Sequence, residues 1–435
     1  MNSSVRKIGP VLATFMVANN MIGAGFFLLP ASLAKVGGVT ALSWLLGTVL
    51  AVVLGGAFAR LAREYPNLQS PDDYVRPSLG RDMGFLTTTL YWIASWVGNN
   101  GIAIAAFGYL VTLMPFMDGA NPAVQVGGQI ALIWLMFAIN LLGPRQVAKF
   151  QSLCVVFGLT PALLVLFGGW GHFDRAIYDA SWNVSGQSDA SVVFGSLAPV
   201  FWAFVGLETG AMVAGIVRDP DRNVPRATFA GIFIAGVVYL LSSVLVMGIV
   251  PAAELAASSA PFALVAATIF GPWAGMAIAA AAALKATGTL GGWMLVAGES
   301  GARAAQRGFL PPIFGRLRTN GSAGWGLLIV TVAMTAIAFL TMSATVAEQF
   351  GVIIEAVVLV VVMAYAAAGL SLLVGTKLRP PTSSDRWLGA GALVACGLLI
   401  FSSSPMMIAG AFAVAVLAWI LFRIFSRQII AADRT

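Results

Sequence analysis

The chain has 435 residues, of which 59% are hydrophobic and only 9% charged, with a net charge of +7. Soluble domains carry roughly 25% charged residues, so this composition excludes a string of soluble domains and identifies an integral membrane protein. The positive charge does not indicate nucleic acid, because the basic residues fall in alternate loops between apolar runs, as membrane topology requires.

In chain order, twelve helical spans are predicted near 10–34, 40–62, 83–115, 123–142, 148–170, 192–216, 224–250, 272–305, 324–342, 346–376, 387–402 and 405–426. Each is continuously apolar over about 20 residues, enough to cross ~30 Å of hydrocarbon, and lacks the alternation of barrel strands. The N-terminal tail carries Arg6 and Lys7, later loops on that side carry residues such as Arg60, Arg145, Arg318 and Lys377, and the C-terminal tail ends with Arg434. The intervening loops hold only Lys35 and Arg175, so both termini are predicted to lie in the cytoplasm. The first helix is expected to insert uncleaved, and with no soluble appendage the whole of 1–435 reads as one polytopic domain.

The first span is interrupted at Asn20-Met21-Ile22-Gly23-Ala24-Gly25-Phe26. Glycines there permit an unwound backbone whose freed amides can receive a carboxylate and whose freed carbonyls can receive an ammonium. Close packing through small residues is the alternative for this segment alone. The third span contains Tyr91, Ser95, Asn99 and Asn100 among apolar neighbours; Asn99 follows Tyr91 by eight residues, two turns along a similar face. Substrate contact and interhelical hydrogen bonding both fit that pattern.

The sixth span contains Phe201 to Gly210, with Gly206, Gly210 and the carboxylate of Glu208 at its centre. A charge at mid-bilayer costs at least ~2.5–3.5 kcal/mol on insertion scales, which marks Glu208 as a candidate for substrate or proton handling. Breaks in the first and sixth spans open two sets of five helices, 10–170 and 192–376, with opposite orientations, followed by two extra helices at 387–426. That is the inverted five-plus-five, LeuT-like arrangement of secondary transporters, with its binding site between the broken helices.

The eighth span holds Gly291-Gly292-Trp293, whose indole face attracts an ammonium or guanidinium where the adjacent glycines leave space. It also holds Lys285, about 12 Å before Trp293 along the helix, and the tenth span holds Glu355. A buried Lys285–Glu355 ion pair is expected, because two uncompensated intramembrane charges are costly. A lysine that loses its charge and so couples transport to protons is the alternative. Cys154 and Cys396 read as buried thiols and His172 as a loop residue; no metal site and no cofactor are indicated.

Several segments together resemble the amino acid, polyamine and organocation transporter family, and within it the basic amino acid and polyamine antiporters, especially the arginine/agmatine type. They are Gly23 to Pro30, Trp202 to Glu208, Asn223-Val224-Pro225, Gly291-Gly292-Trp293 and Pro311 to Phe314. The likeness runs from about residue 8 to 375. It implies that Met21, Ala24 and Gly25, with carbonyls near Trp202 and Val205, hold the substrate backbone. Ala94, Ser95, Asn99 and Trp293 would surround its side chain, with Phe350 nearby. Trp202 would cover the site from outside, and Tyr91, Glu208 and Tyr365 would close the inner path. A homodimer in a bacterial inner membrane is also implied. Ala24 and Val357 stand where the arginine/agmatine type has serines, which loosens the substrate's identity more than its class.

The expected function is exchange of an external cationic amino acid, first of all arginine, for its internal decarboxylated amine, agmatine, with Glu208 resetting affinity by gaining or losing a proton. A lysine/cadaverine or ornithine/putrescine exchanger and a proton-coupled symporter are the alternatives. An enzyme is not expected, because Glu208, Glu299 and Glu355 are scattered over three spans without a nucleophile or metal cluster beside them.

Overall fold

Prolines and short polar side chains set where the helices begin. Pro10, Pro122, Pro144, Pro220, Pro261 and Pro272 each open a helix, at the position where a missing N–H costs nothing. Asn121 accepts from the Ala123 amide at 2.9 Å, and Thr382 with Asp385 forms a reciprocal capping box. This computed structural model describes residues 7–65, 72–114, 121–212, 214–343, 345–376 and 379–432. Of the topology-setting basic residues, Arg6, Lys377 and Arg434 lie outside them.

The first half comprises α1 (Pro10–Met21), α2 (Ala24–Ala34), α3 (Thr40–Glu64), α4 (Asp72–Thr112), α5 (Pro122–Asn140), α6 (Pro144–Gly168) and α7 (Arg175–Ala180). The middle holds α8 (Asp189–Gly195), α9 (Leu197–Trp202), α10 (Thr209–Met212) and α11 (Pro220–Met247). Then come α12 (Ala252–Ala257), α13 (Pro261–Phe270), α14 (Pro272–Gln306), α15 (Gly324–Leu340), α16 (Val346–Val374), α17 (Ser383–Phe401) and α18 (Pro405–Ala432). Among the described residues the β pairings are two isolated bridges, Ile8 with Val217 and Thr376 with Arg379.

By length and composition α3, α5, α11, α14, α16 and α17 can each cross a bilayer, and the pair α1 and α2, bent by 44°, counts as a seventh. The segments Asp189–Trp202, Pro261–Phe270, Gly324–Leu340 and Pro405–Ile420 are apolar but shorter. Two features differ from the sequence reading. The third span is preceded by helix from Asp72, joined to it at Gly80, whose φ of 84° interrupts the helical backbone. Residues 252–270, read as connection, form α12 and α13, because Pro251 and Pro261 restart the chain as two short helices.

The long helix α4 packs along both α14 and α16, α14 also packs on α6, and α11 packs on α1 and α3. Small residues allow the close approaches. At Gly288 of α14 an added Cβ would lie 2.3 Å from the Cys154 Cβ on α6, and at Gly231 of α11 it would lie 2.8 Å from the Val17 Cβ on α1. Such contacts suit a medium in which packing, not the hydrophobic effect, joins helices. Tyr109 of α4 anchors α2 and α13 together: its hydroxyl donates to the Phe27 carbonyl at 2.7 Å and accepts from the Phe262 amide at 3.3 Å.

Gly288→Ala is expected to destabilise the protein by about 1–3 kcal/mol, because the colliding atom is another Cβ that cannot swing aside. Gly171→Ala, with nothing within 4 Å, serves as the control. Thermal unfolding in detergent should show a lowered midpoint for the first and none for the second.

Candidate functional site

The first break is short. Helix α1 ends as Ile22 turns out of helical geometry (φ −73°, ψ 69°), Gly23 is extended (φ −104°, ψ −152°), and Ala24 already starts α2. The break therefore occupies Ile22 and Gly23 and not the whole Gly23–Gly25 triplet. It leaves the last carbonyls of α1 and the first amides of α2 without intrahelical partners. Gly25 serves another purpose, since a Cβ there would lie 2.8 Å from the Trp202 Nε1, while a Cβ on Gly98 of α4 would lie 2.8 Å from the Trp202 Cη2. The indole of Trp202 is thus seated between two glycines on different helices.

The second break is longer and starts earlier than the sequence suggested. Helix α9 stops at Trp202, residues 203–208 are turns, and Thr209 and Gly210 are again helical. Gly206 supplies the reversal with φ of 107°, a region that residues with a Cβ rarely adopt. Side chains from elsewhere satisfy the freed polar groups. Tyr239 of α11 donates to the Ala203 carbonyl at 3.0 Å, and the Gly206 amide donates to Glu208 Oε2 at 3.1 Å. Asn20, in the last turn of α1, donates to Thr209 Oγ1 at 2.6 Å and so ties one break to the other.

Glu208 is 3% exposed and fully engaged: Tyr91 of α4 donates to its Oε1 at 2.6 Å, and Tyr365 of α16 donates to its Oε2. Two phenols and a backbone amide thus surround an intramembrane carboxylate with donors, the arrangement that makes a buried acid tolerable. The three helices α4, α16 and the α9–α10 break meet at this carboxylate.

Beside Tyr91 lies a cavity formed where both breaks face α4, α14 and α16. Met21, Gly25, Tyr91, Ala94, Ser95, Trp202, Val205 and Trp293, all singled out from sequence, line it. So do Asn20, Gly23, Gly98, Ile102, Ala203, Thr289, Val357 and Val361. Ser95 Oγ donates to the Trp92 carbonyl at 2.7 Å, which aims its lone pairs rather than its proton at the space. The backbone of Ala24 begins α2 beside the cavity, and its side chain lies outside the described ones. Two predicted residues do not line the space. Asn99 is fully buried one position beyond Gly98, with neither side-chain polar atom bonded, and Phe350 is packed over Gly101, a turn away.

The expected Lys285–Glu355 ion pair is absent. Lys285 is 2% exposed on the face of α14 that meets α1, and its Nζ lies 3.4 Å from the Asn19 Oδ1. Glu355 sits on another face of α16, where its Oε1 accepts from the Ser404 amide at 3.1 Å, just before the start of α18. The two charges are separated because each is directed to a different helix terminus. Glu355 meets orphan amides at the head of α18, which favour an anion, and Lys285 meets the tail of α1, which favours a cation.

Sequence reasoning missed Asn20 and Thr289. Thr289 Oγ1 donates to the Lys285 carbonyl at 2.9 Å, and its Cγ2 lies where a Cβ on Gly23 would make contact at 3.5 Å. The signal for Asn20 was present, since two consecutive amides directly before a glycine break stand out in an apolar helix. Thr289 carried no such signal, because a single threonine in a membrane helix is ordinary.

The amino acid permease family profile matches residues 8–427 of the chain. The cadaverine/lysine antiporter of Escherichia coli (strain K12) is 38% identical over 338 residues, covering 78% of this chain and 76% of that protein. The putrescine transporter PotE of the same strain is 30% identical over 427 residues, 97% and 96% of the two chains. PotE of Haemophilus influenzae is 29% identical over 377 residues, 87% and 86% of the two chains.

Tyr365→Phe is expected to cost about 1.5–3 kcal/mol, the worth of a hydrogen bond to a charged group. The same change in a Glu208→Gln background should cost clearly less, because the acceptor is then neutral. Unfolding of the four proteins of this cycle measures the coupling; purely additive losses would mean that the two side chains do not interact.

Proposed function

Since the chain belongs to the amino acid permease family of membrane transporters, we propose that its cavity carries a cationic amino acid inward in exchange for the decarboxylated amine, by alternating access. The observation that supports this reading is the joining of two helix breaks at one cavity, whose wall includes a tyrosine bonded to a buried carboxylate. An α-amino and α-carboxyl group can both be met by freed backbone there, without buried counter-charges. The twelve-span inverted repeat, the cytoplasmic termini, the bacterial inner membrane and a homodimer belong to the same reading and rest on the sequence pattern and the resemblance.

As substrate pair we favour lysine and cadaverine over arginine and agmatine, with ornithine and putrescine next. The relatives named for cadaverine, lysine and putrescine support this order. So does the wall of the cavity, where Ala94, Ile102, Val357 and Val361 offer methyl groups to a methylene chain and few acceptors. A guanidinium presents five N–H donors that a site this apolar leaves unmatched, whereas an ammonium has three and can rest on the face of Trp293. Trp202, seated between Gly25 and Gly98, is the outer cover of this site, and Glu208 with Tyr91 and Tyr365 its inner closure. Proton gain or loss at Glu208 would change how strongly a cation is held above it.

The test is uptake of radiolabelled lysine into proteoliposomes loaded with cadaverine, putrescine, agmatine or buffer. Cadaverine inside should raise uptake at least about tenfold over buffer, a difference of roughly 1.4 kcal/mol in barrier. Trp293→Ala should abolish saturable uptake, Trp293→Phe should keep part of it, and normal affinity in the alanine variant would remove Trp293 from the site. Glu208→Gln should flatten the dependence of exchange on acidic pH.

A second reading, proton-coupled symport, is favoured by Lys285, which among the described residues makes no ion pair and whose Nζ lies 3.4 Å from the Asn19 Oδ1 at the tail of α1. A lysine there can hold α1 when charged and release it when neutral. Uptake into unloaded vesicles driven by an inward proton gradient, lost in Lys285→Met, would replace exchange by this mechanism.

A further inference from the structure

A second groove lies between α5 and α15, apart from the cavity at the breaks. Its walls are Phe137 of α5 and Leu141 just beyond it, with Gly324, Trp325 and Leu328 of α15; its volume is about 270 Å³, and Arg318 is part of its lining. Trp325 is 54% exposed, so the groove opens on the outer surface of the bundle. That surface faces lipid in any membrane reading of this chain.

The segment that carries Arg318 is held in place, while the side chain itself is exposed. The Arg318 amide donates to the Ser322 carbonyl at 2.8 Å, and Asn320 Nδ2 donates to the Leu141 carbonyl at 2.8 Å, which pins the segment onto the end of α5. A Cβ on Gly324 would meet the Arg318 Cδ at 3.0 Å and the Leu141 Cδ2 at 3.4 Å, so the glycine makes room for the arginine stem to lie along the groove. The guanidinium has no acidic partner among the described residues. Nor does the neighbourhood offer one: residues 141–149 and 308–324 contain no Asp or Glu, yet they carry Arg145, Lys149, Arg316 and Arg318. All four basic side chains are exposed.

We propose that this groove is a binding site for an anionic phospholipid, with an acyl chain along Phe137, Trp325 and Leu328 and the phosphate on Arg318. Guanidinium matches phosphate oxygens in a planar, bidentate fork. The apolar walls favour a phosphate that carries acyl chains over free phosphate. The uncompensated charge of Arg145, Lys149 and Arg316 selects a net anionic headgroup over a zwitterionic one, as basic pockets between membrane helices do. The groove has room for a stretch of hydrocarbon, and its lining gives an ordered water no set of partners.

Trp325 reports on the occupant directly. Purified protein in phosphatidylcholine vesicles is titrated with brominated phosphatidylglycerol, and the Trp325 component of quenching is taken as the difference from Trp325→Phe. Phosphatidylglycerol should quench this component well before brominated phosphatidylcholine does. Arg318→Gln should weaken the preference about fivefold, the effect of one basic residue at a membrane surface, and Arg318→Lys should keep most of it. Leu328→Phe, which fills the groove with a ring that does not emit in the indole band and leaves the charge, should lower quenching by either lipid. Equal quenching by the two lipids, an unchanged preference in Arg318→Gln, or displacement of the brominated lipid by millimolar inorganic phosphate would each overturn the proposal.

Discussion

An unwound backbone inside a membrane has no water to bond, and the answer to that constraint organises this protein. Each break frees amides and carbonyls at a depth where an unsatisfied group costs several kcal/mol. Side chains meet some of them, and one further side-chain bond ties the two breaks together. Tyr239 of α11 takes the Ala203 carbonyl, Asn20 of α1 bonds Thr209 of α10, and Glu208 takes the amide of Gly206 while accepting two phenols. At the first break, the last carbonyls of α1 and the first amides of α2 lie beside the cavity without intrahelical partners.

The glycines do two kinds of work that look alike in sequence. Gly206 is required by its dihedral, since φ of 107° is closed to most side chains. Gly25, Gly98 and Gly288 are required by proximity: each leaves room for a side chain of a neighbouring helix, the indole of Trp202 for the first two and Cys154 for the third. Seating Trp202 between two helices couples its rotamer to their spacing. A movement of α2 against α4 therefore cannot leave the indole where it is, which links this side chain of the cavity wall to the spacing of the two helices.

Charge follows the same economy. Glu355 and Lys285 lie within apolar helices and Glu208 in the break between α9 and α10, and each is placed where a helix end or a set of donors receives it. Lys285 and Glu355 are a case in which a sound energetic argument picked the wrong solution. The cost of unpaired intramembrane charge is real, but helix termini offer compensation as well as counter-ions do. Arg60, bonded to Asp385 at 2.6 Å and paired with Glu64 at 2.9 Å, shows the ion-pair solution at a helix end.

Hydropathy, proline positions and glycine pairs determined the helices, the membrane setting and the two broken segments, because these depend on short-range chemistry and on the fixed thickness of a bilayer. The cluster of Glu208, Tyr91 and Tyr365 and the place of Trp202 were legible through resemblance, and Trp293 was legible as an aromatic face beside glycines. What only the tertiary structure decided is which face of each helix meets which neighbour. A rotation of about 100° per residue separates Gly98, which faces the cavity, from Asn99, which does not, and no single-chain pattern sets the absolute rotation of a helix apolar on all sides. The same freedom put Phe350 over Gly101, drew Asn20 and Thr289 into the cavity wall, and sent Lys285 to α1 and Glu355 to α18.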